Sequence, residues 1–233
     1  MRTHPSLTVK EADQFFIEEY DINVNERKIY QCIVKAREII EGSEKAQYSL
    51  LRDYGDEILK CNPGSTVIIE TTSMPDSDNL FKRIYICLHA CKKAFLGRCR
   101  PFICLDGIFL KRYYGGQQLT AIGQDANNHI YLIAYAIVTT ETKDSWKWFI
   151  QLLQEDLGDG TSHGFSFMSD QQKGLIPTLQ KVMPGSHHRF CSRHIWKNFA
   201  KKWNGLDFKG ALFNCAKTMA PRNSMLPWTE LRG

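Results

Sequence analysis

The sequence predicts a mixed α/β fold that follows a small helical region. Two short apolar runs, residues 102–105 and 165–169, have the length of strands, and each is followed by an aspartate, Asp106 or Asp170. A predicted hairpin and a helix-like segment lie between them, an order that allows the two flanking strands to run parallel. Residues 1–62 instead carry apolar side chains at helical spacing.

Residues 1–62 are predicted to form three helices. Thr8-Val9-Lys10-Glu11 has the form of a capping box, and Asn62-Pro63-Gly64 ends the last helix. Three short helices with a tight break after the first can form a helix-turn-helix DNA-binding fold. A plain helical bundle that serves as an interaction module explains the same pattern, and both interpretations stay open. The basic residues that would face DNA in the first are Arg27, Lys28 and Lys35.

Residues 63–99 are predicted to connect this region to the α/β region. Residues 65–71 and 80–88 are rich in β-branched and aromatic side chains and flank a cluster of turn-forming residues, so they indicate two partner strands. Residues 89–97 indicate a short helix.

From residue 100 the pattern is that of alternating strands and helices. Residues 118–123 and 129–139 form a predicted hairpin, and Asp144 is the predicted N-cap of a helix that extends to residue 157. After the strand that ends at Asp170, a short helix, a strand at 188–191 and a basic helix follow. The order β-β-β-α-β-α-β is that of a ribonuclease-H-like mixed sheet, predicted here for residues 100–215.

Asp106 and Asp170 are the candidate catalytic and metal-binding residues. If their strands are parallel neighbours, both carboxylates leave the sheet at one edge, close enough to share divalent cations. Two carboxylates at such an edge are what a two-metal phosphoryl-transfer site needs. Each aspartate alone is more usually explained as a turn former at the end of a strand, but their paired placement favours the catalytic interpretation.

The distribution of charge indicates a polyanionic substrate. The net charge of +5 is a small excess, but no acidic residue occurs between Asp170 and Asp207. A one-sided basic stretch beside a candidate carboxylate site is typical of nucleic-acid-binding proteins, although a solvated helix face has the same composition. The basic residues of this stretch are Lys173, Lys181, Arg189, Arg193, Lys197, Lys201 and Lys202.

Membrane and secreted proteins are disfavoured. No apolar run reaches the roughly 18 residues of a membrane-spanning helix. Met1-Arg2-Thr3-His4-Pro5 is not followed by the apolar stretch of a secretory signal. The eight cysteines are scattered, and in a chain of 233 residues without an export signal we expect reduced thiols, in the cytosol or nucleus.

Six sequence blocks, in order along the chain, resemble plant Mutator-like (MULE, MuDR-type) transposases. The preceding region, with Tyr54-Gly55 and Asn62-Pro63-Gly64-Ser65, is similar to the segment before the catalytic core of that family, and the resemblance extends to about Cys215. The blocks are Leu105-Asp106-Gly107, Tyr114-Gly115-Gly116-Gln117-Gln118-Leu119, Gly123-Gln124-Asp125-Ala126-Asn127-Asn128, Lys143-Asp144-Ser145-Trp146, Ser169-Asp170-Gln171-Gln172-Lys173-Gly174-Leu175 and His188-Arg189-Phe190-Cys191-Ser192-Arg193-His194.

The resemblance implies a DDE-type enzyme that cleaves and transfers DNA strands. Asp106 and Asp170 would be its first two acids and would hold Mg²⁺ or Mn²⁺, which favour hard oxygen ligands. The implied partner is double-stranded DNA at transposon terminal repeats, the implied location is the nucleus, and the family allows a homo-oligomer. No membrane partner is implied.

The resemblance also singles out residues near Asp170. Cys191 and His194 match a CxxH motif that follows the second acid in this family. Cys and His at this spacing can bind zinc, but a closed site needs four ligands and no second pair is evident, so a structural or substrate-positioning role is favoured. Candidate contacts to DNA phosphates, which position a duplex without reading its sequence, are Lys173, Arg189, Arg193 and Lys197.

The chain departs from the family beyond Cys215. The third acid of the family is expected on a later helix, but Glu230 is the only acidic residue after Asp207, and residues 216–233 form a divergent tail. We therefore expect a C-terminally truncated transposase with impaired cleavage. The alternatives are a domesticated DNA-binding or transcription-regulating protein without catalysis, and a non-functional gene fragment.

Overall fold

The chain divides into two compact units, Met1–Glu57 and Ile58–Gly233. The first unit is helical, and the second combines one sheet with several helices. Within the described part of the chain, no helix is both long and apolar enough to cross a membrane. The residues that the computed structural model describes are 7–41, 44–74, 77–111 and 115–217, so Glu230 and the predicted tail lie outside them.

The first unit is built on a pair of helices, α1 (Val9–Tyr20) and α2 (Glu26–Glu41). The predicted capping box is confirmed, because the Thr8 hydroxyl accepts a hydrogen bond from the Glu11 N–H and the Glu11 carboxylate accepts one from the Thr8 N–H. This reciprocal pair satisfies backbone donors that the first turn would otherwise leave free. The small core between the two helices contains Ala12, Ile29 and Ile33.

The third predicted helix is in fact two helices, α3 (Glu44–Ser49) and α4 (Leu51–Cys61). At the break the Leu50 N–H donates to the Gln47 carbonyl, three residues back, at 3.2 Å. This tighter turn interrupts the α-helical hydrogen-bond pattern. Arg27, Lys28 and Lys35 are exposed, and their contact with DNA stays a prediction.

The second unit is organised around one seven-stranded mixed sheet. Its strands are β1 (Thr66–Met74), β2 (Ser77–Cys87), β3 (Phe102–Phe109), β4 (Gln117–Gln124), β5 (Ile130–Val138), β6 (Ser166–Ser169) and β7 (His187–Phe190). They lie in the order β1-β2-β5-β4-β3-β6-β7. The pairs β3–β6 and β6–β7 are parallel and all other pairs are antiparallel. The predicted connecting segment therefore supplies two strands, β1 and β2, at one edge of the same sheet.

Among the described residues of this unit there are six further helices, and the predicted mixed α/β class is confirmed. The longest of them lies between β5 and β6, as expected for the crossover between parallel strands. The helix nearest the end of the described chain was not predicted. Their bounds are α5 (His89–Arg98), α6 (Lys143–Leu157), α7 (Gly160–His163), α8 (Leu175–Val182), α9 (Ser192–Phe199) and α10 (Leu206–Lys217).

The N-cap of α6 is Thr142, so the prediction that Asp144 caps this helix is wrong. The Thr142 hydroxyl accepts from the Ser145 N–H at 3.1 Å, and the Ser145 hydroxyl accepts from the Thr142 N–H at 2.7 Å. Asp144 lies inside the first turn, and its carboxylate contacts Arg83 Nη1 at 3.0 Å instead. Thr142 is the N-cap because its hydroxyl reaches a free N–H group of the first turn, that of Ser145.

The buried side of α6 forms much of the core. Trp146, Phe149, Ile150 and Leu153 are at most 1% exposed, and full burial of a side chain of this size contributes about 1.5–3 kcal/mol. They belong to one apolar cluster with residues of the central strands. The crossover helix is thereby held on the sheet, and the strands at its two ends are held in place with it. The central-strand members of this cluster are Ile103, Leu105, Leu119, Ala121 and Phe167.

A buried polar network fixes the other end of α6. The side chain of Asp156, in the last turn, is 6% exposed. It accepts hydrogen bonds from Tyr85 at 2.8 Å and Thr66 at 2.6 Å, and it pairs with Lys92 at 2.8 Å. Burial, and the negative charges of Cys87 and Asp156, raise the pKa of Tyr85 above its ordinary value, so its hydroxyl stays a donor. The network ties α6 to β1, β2 and α5.

We predict that Asp156→Ala lowers the free energy of unfolding by about 3 kcal/mol, because it leaves Lys92 and the Tyr85 hydroxyl without their partner. Urea denaturation followed by circular dichroism measures this change. The matched control is Glu155→Ala, at an exposed neighbouring position of the same helix, for which we expect a change within about 0.5 kcal/mol. Equal losses for the two variants would contradict the prediction.

Candidate metal and nucleic-acid site

The candidate site is set by two neighbouring parallel strands, β3 and β6. Their paired residues are Phe102 with Ser166, Ile103 with Phe167 and Cys104 with Met168. Asp106 and Asp170 each lie two residues beyond the last of these pairs. They therefore occupy equal register at one rim of the sheet. The two strands are parallel neighbours, as the sequence predicts, while the roles of the two aspartates stay predictions.

The sequence predicts that β3 ends before Asp106, but the strand continues to Phe109. It does so because it pairs in antiparallel fashion with β4 over its full second half, up to Phe109 opposite Gln117. Asp106 therefore lies inside a strand, opposite Thr120, whereas Asp170 directly follows the last residue of β6. The Thr120 hydroxyl donates to the Asp106 carbonyl at 3.1 Å, which adds a side-chain contact to the strand pairing at this point.

Both aspartates are half-buried, and neither forms an ion pair within the described residues. Asp106 Oδ1 accepts from the Gly107 N–H at 3.0 Å, and Asp170 Oδ1 accepts from the Gln172 N–H at 3.1 Å. Each carboxylate thus has one oxygen held by the backbone. The second oxygen of each has no hydrogen-bond partner in the described part of the chain.

Glu141 is a third carboxylate near this pair, and no sequence pattern singles it out. It lies between β5 and α6, and the indole N–H of Trp146 donates to its Oε1 at 2.9 Å. A Cβ atom on Gly107 would lie 3.0 Å from Cδ and from both oxygens of Glu141. The carboxylate therefore packs directly against the residue that follows Asp106.

The charge state of Glu141 depends on both aspartates. Burial raises the pKa of Glu141, and the negative charges of Asp170 and Asp106 raise this pKa further, while the hydrogen bond from Trp146 lowers it. Like charges act on one another in this way only at short range in a partly desolvated environment. The three side chains therefore share one electrostatic environment.

Sequence patterns offered only a faint signal for Glu141. It does not end an apolar run, and its closeness to Asp106 follows from the sheet order. Val138, at the end of β5, lies opposite Gln117, which in turn lies opposite Phe109 of β3. This arrangement brings the connection after β5 to the rim that carries Asp106. The available signal was an acidic residue in a short strand-to-helix connection.

The donor set fits a hard divalent cation but is not closed into a cage. Carboxylate oxygens are the ligands that Mg²⁺ and Mn²⁺ favour. Among the residues that the structure describes, however, no three His, Cys, Asp or Glu side chains stand together as a group that could hold a metal ion. Binding at Asp106 and Asp170 would need their side chains to turn toward a common point, which staggered rotamers allow.

Cys191 and His194 lie at the start of α9. The Cys191 N–H donates to the Ser169 carbonyl at 2.8 Å, which fastens the helix to the end of β6. The Nδ1 atom of His194 is buried and has no hydrogen-bond partner among the described residues. Burial, with the negative charges of Cys191 and Asp106, raises the pKa of the Cys104 thiol to about 11. The CxxH motif thus lies beside the candidate site, and its structural role stays a prediction.

The four candidate phosphate contacts are all exposed, and none pairs with a carboxylate in the described residues. Lys173 lies in the turn between β6 and α8, and Arg189 lies on β7, the last strand of the sheet. Arg193 and Lys197 lie four residues apart on α9, so they share one face of that helix. Free, exposed cations beside a carboxylate pair are suited to hold a phosphate backbone.

The comparisons with known proteins bear on the segment that holds this site. A search of curated proteins found no match to the chain. The family model of the MULE transposase domain matches residues 102–198, which extend from the first residue of β3 nearly to the end of α9 and include Asp106, Glu141 and Asp170. Residues 102–198 are therefore similar to a MULE-type transposase domain.

Proposed function

We propose that this chain derives from a plant Mutator-like DDE transposase and that its sheet-rich unit acts on DNA by metal-dependent phosphoryl transfer. The observation that carries the proposal is the parallel pairing of β3 with β6, which brings Asp106 and Asp170 to one rim in equal register. The family match over residues 102–198 favours transposase chemistry over other uses of such a rim.

The strand order supports a ribonuclease-H-like fold for this unit. The five strands from β3 onward lie across the sheet in the order β5-β4-β3-β6-β7, which is third, second, first, fourth, fifth when β3 is counted as the first. The second of them, β4, is antiparallel to both of its neighbours. The crossover helix α6 lies between the third and fourth strands. With the short helix α7 counted as part of the crossover, this succession is consistent with the predicted β-β-β-α-β-α-β order. Ligand sites of such open sheets lie beyond the ends of parallel strands.

In the proposed reaction Asp106 and Asp170 would hold Mg²⁺ or Mn²⁺ through the oxygens that have no hydrogen-bond partner in the described residues. The cations would lower the pKa of an attacking water or 3′-hydroxyl and stabilise the leaving oxygen of the cleaved phosphodiester. The backbone N–H groups of Gly107 and Gln172 donate to the opposite oxygen of each carboxylate. Lys173 follows Asp170 closely enough to contact a phosphate bound at the same rim.

The proposed partner is double-stranded DNA at transposon terminal repeats, encountered in the nucleus. The exposed cations Arg189, Arg193 and Lys197 lie on β7 and α9, which follow β6 in the chain. Contacts of this type carry no sequence information, so recognition of particular repeats would need other parts of the protein or a homo-oligomer.

A DNA-binding or transcription-regulating protein without catalysis is the second candidate. It is favoured by the lack, among the described residues, of any three His, Cys, Asp or Glu side chains already assembled around a metal position. The exposed cations would serve this function equally well. The two candidates differ in whether phosphodiester bonds are broken.

We predict that the wild-type protein nicks supercoiled plasmid DNA when Mn²⁺ is present and that Asp106→Asn and Asp170→Asn each slow this nicking by about 100-fold or more. The substitution keeps the shape of the side chain but removes the charge that holds the cation. Conversion of supercoiled to open-circular plasmid on agarose gels measures the rate.

Glu155→Gln is the matched control for nicking, because it removes an exposed carboxylate of α6 that lies outside the site. It should nick at the wild-type rate. Binding of DNA with no metal-dependent nicking by the wild-type protein would favour the regulatory function, and nicking that survives both aspartate substitutions would reject the proposed site.

We also predict that Arg193→Gln with Lys197→Gln weakens DNA binding at all sequences alike and reduces the slope of log affinity against log salt by about two, one for each phosphate that these cations no longer neutralise. Fluorescence anisotropy with a labelled duplex at several salt concentrations measures the slope. Lys147→Gln, an exposed position on α6, should leave the slope unchanged. An unaltered slope in the double variant would remove α9 from the DNA-binding surface.

A further inference from the structure

We propose that α9 and α10 form a binding surface for an unpaired DNA strand, whose bases stack on aromatic side chains while nearby lysine and arginine residues contact its phosphates. The inference rests on the proposed function for the kind of polymer that is bound. It goes beyond that function because stacking of bases needs neither a metal ion nor cleavage. The aromatic surface consists of four side chains, Trp196, Phe199, Trp203 and Phe208.

The four rings of the aromatic surface contact one another in a row. Trp196, Phe199 and Trp203 follow at spacings of three and four residues, so they share one side of α9 and of the turn that extends it. From the centroid of the Phe199 ring, the distances are 5.9 Å to Trp196 and 5.2 Å to Trp203, and the ring planes differ by 31° and 35°. Phe208 of α10 extends the row, with its centroid 6.0 Å from that of Phe199.

The rings of the aromatic surface are large apolar groups that remain partly open to solvent. None of the residues of α9 is buried, and Trp203 is 49% exposed. Single exposed apolar side chains are common on protein surfaces, whereas contiguous exposed patches mark sites of interaction. The aromatic surface therefore has the character of a binding site.

The charge around the rings indicates a polyanionic partner. Residues 192–217 contain six lysine or arginine residues and one acidic residue, Asp207. Arg193 and Lys197 are exposed on α9 itself. Aromatic rings among cations are the combination that holds single-stranded nucleic acids, since each nucleotide supplies one flat base and one phosphate. An acidic peptide would pair with the cations, but its carboxylates would leave the rings uncovered.

The rings favour an unpaired strand over a duplex. In a duplex the bases are stacked on one another, and the grooves present only their edges. An unpaired strand exposes the faces of its bases, on which aromatic side chains can stack. The cations act on the phosphates of both forms. The aromatic surface therefore adds affinity for the unpaired strand alone.

Lys202 covers part of the Trp203 ring in the free protein. Its Nζ lies 4.5 Å from the centre of that ring. A cation–π contact at an exposed site is weaker than the stacking of a base on an aromatic ring. An arriving base therefore displaces the ammonium group, which is then available to a neighbouring phosphate.

Two hydrogen bonds fasten α9 beside the candidate site. The Cys191 N–H donates to the carbonyl of Ser169, the last residue of β6, at 2.8 Å. The Asn198 side-chain amide donates to Oε1 of Gln171, the residue after Asp170, at 3.2 Å. A strand cleaved at this rim has an end whose bases can unpair, and the helix next to the rim carries rings on which they can stack.

Fluorescence anisotropy of the full chain with three labelled probes of equal length tests the proposal. The probes are an unpaired DNA strand, its duplex and an abasic strand that has phosphates but no bases. We expect Trp203→Ala to weaken binding of the unpaired strand by about 10-fold and to leave binding of the other two probes unchanged. The dependence of affinity on salt should not change, because the substitution removes no charge.

Two further variants control for loss of structure and for exposed aromatic residues in general. Trp203→Phe keeps a flat ring and should retain most of the affinity for the unpaired strand, and equal melting temperatures of the two Trp203 variants check the fold. Tyr20, on α1, is 58% exposed and belongs to another aromatic cluster, but its neighbours Glu19 and Asp21 are acidic. Tyr20→Ala should therefore bind all three probes as the wild-type chain does.

The outcomes separate this inference from the function on which it rests. If Trp203→Ala weakens binding of the unpaired and abasic strands equally, or weakens neither, the stacking surface is rejected, and duplex binding by the wild-type chain leaves the proposed function standing. Loss of self-association in Trp203→Ala, measured by sedimentation velocity with unaltered affinity for the unpaired strand, would instead make the rings a contact between copies. Tighter binding of an unpaired RNA strand would overturn the assignment to DNA. A wild-type chain that binds none of the DNA probes would reject both proposals.

Discussion

The parallel pairing of β3 with β6 is the constraint on which the sheet-rich unit depends. Parallel strands cannot be joined by a tight turn, so the chain must cross over, and α6 makes this crossing. Burial of Trp146, Phe149 and Leu153 on α6 holds the crossover against the sheet. Backbone pairing and the fixed register of the two strands then determine where the side chains of Asp106 and Asp170 leave the sheet.

Much of this fold could be read from the sequence because its strands and helices have clear hydrophobic periods. The hairpin of β4 and β5, the crossover helix and the outer hairpin were all predicted within a few residues. Ends of elements were harder to predict. Asp144 and Thr142 are both good N-caps by type, and only the structure separates them, with Thr142 at the cap and Asp144 in the first turn against Arg83. The extension of β3 past Asp106 depends on its pairing with a strand distant in sequence.

The residues of the candidate site also differ in whether a local sequence pattern or the pairing of distant segments reveals them. Asp106 and Asp170 could be selected because each follows a short apolar run, a local pattern. Glu141 could not, because its approach to Asp106 depends on two strand pairings, β3 with β4 and β4 with β5, and on the missing side chain of Gly107.

The polar network at the end of α6 has a consequence for where this domain can be cut. Residues 66–92 supply the three residues that the Asp156 carboxylate contacts. They also supply β2, which pairs with the side of β5 that faces away from β4, from Ile86 opposite Tyr135 to Arg83 opposite Val138. A fragment that began at residue 102 would leave the buried Asp156 carboxylate without its partners. It would also expose the edge of β5, whose unpaired backbone groups favour association with other chains. The smallest fragment that folds by itself therefore starts at or before β1, well ahead of residue 102, where the match to the family model begins.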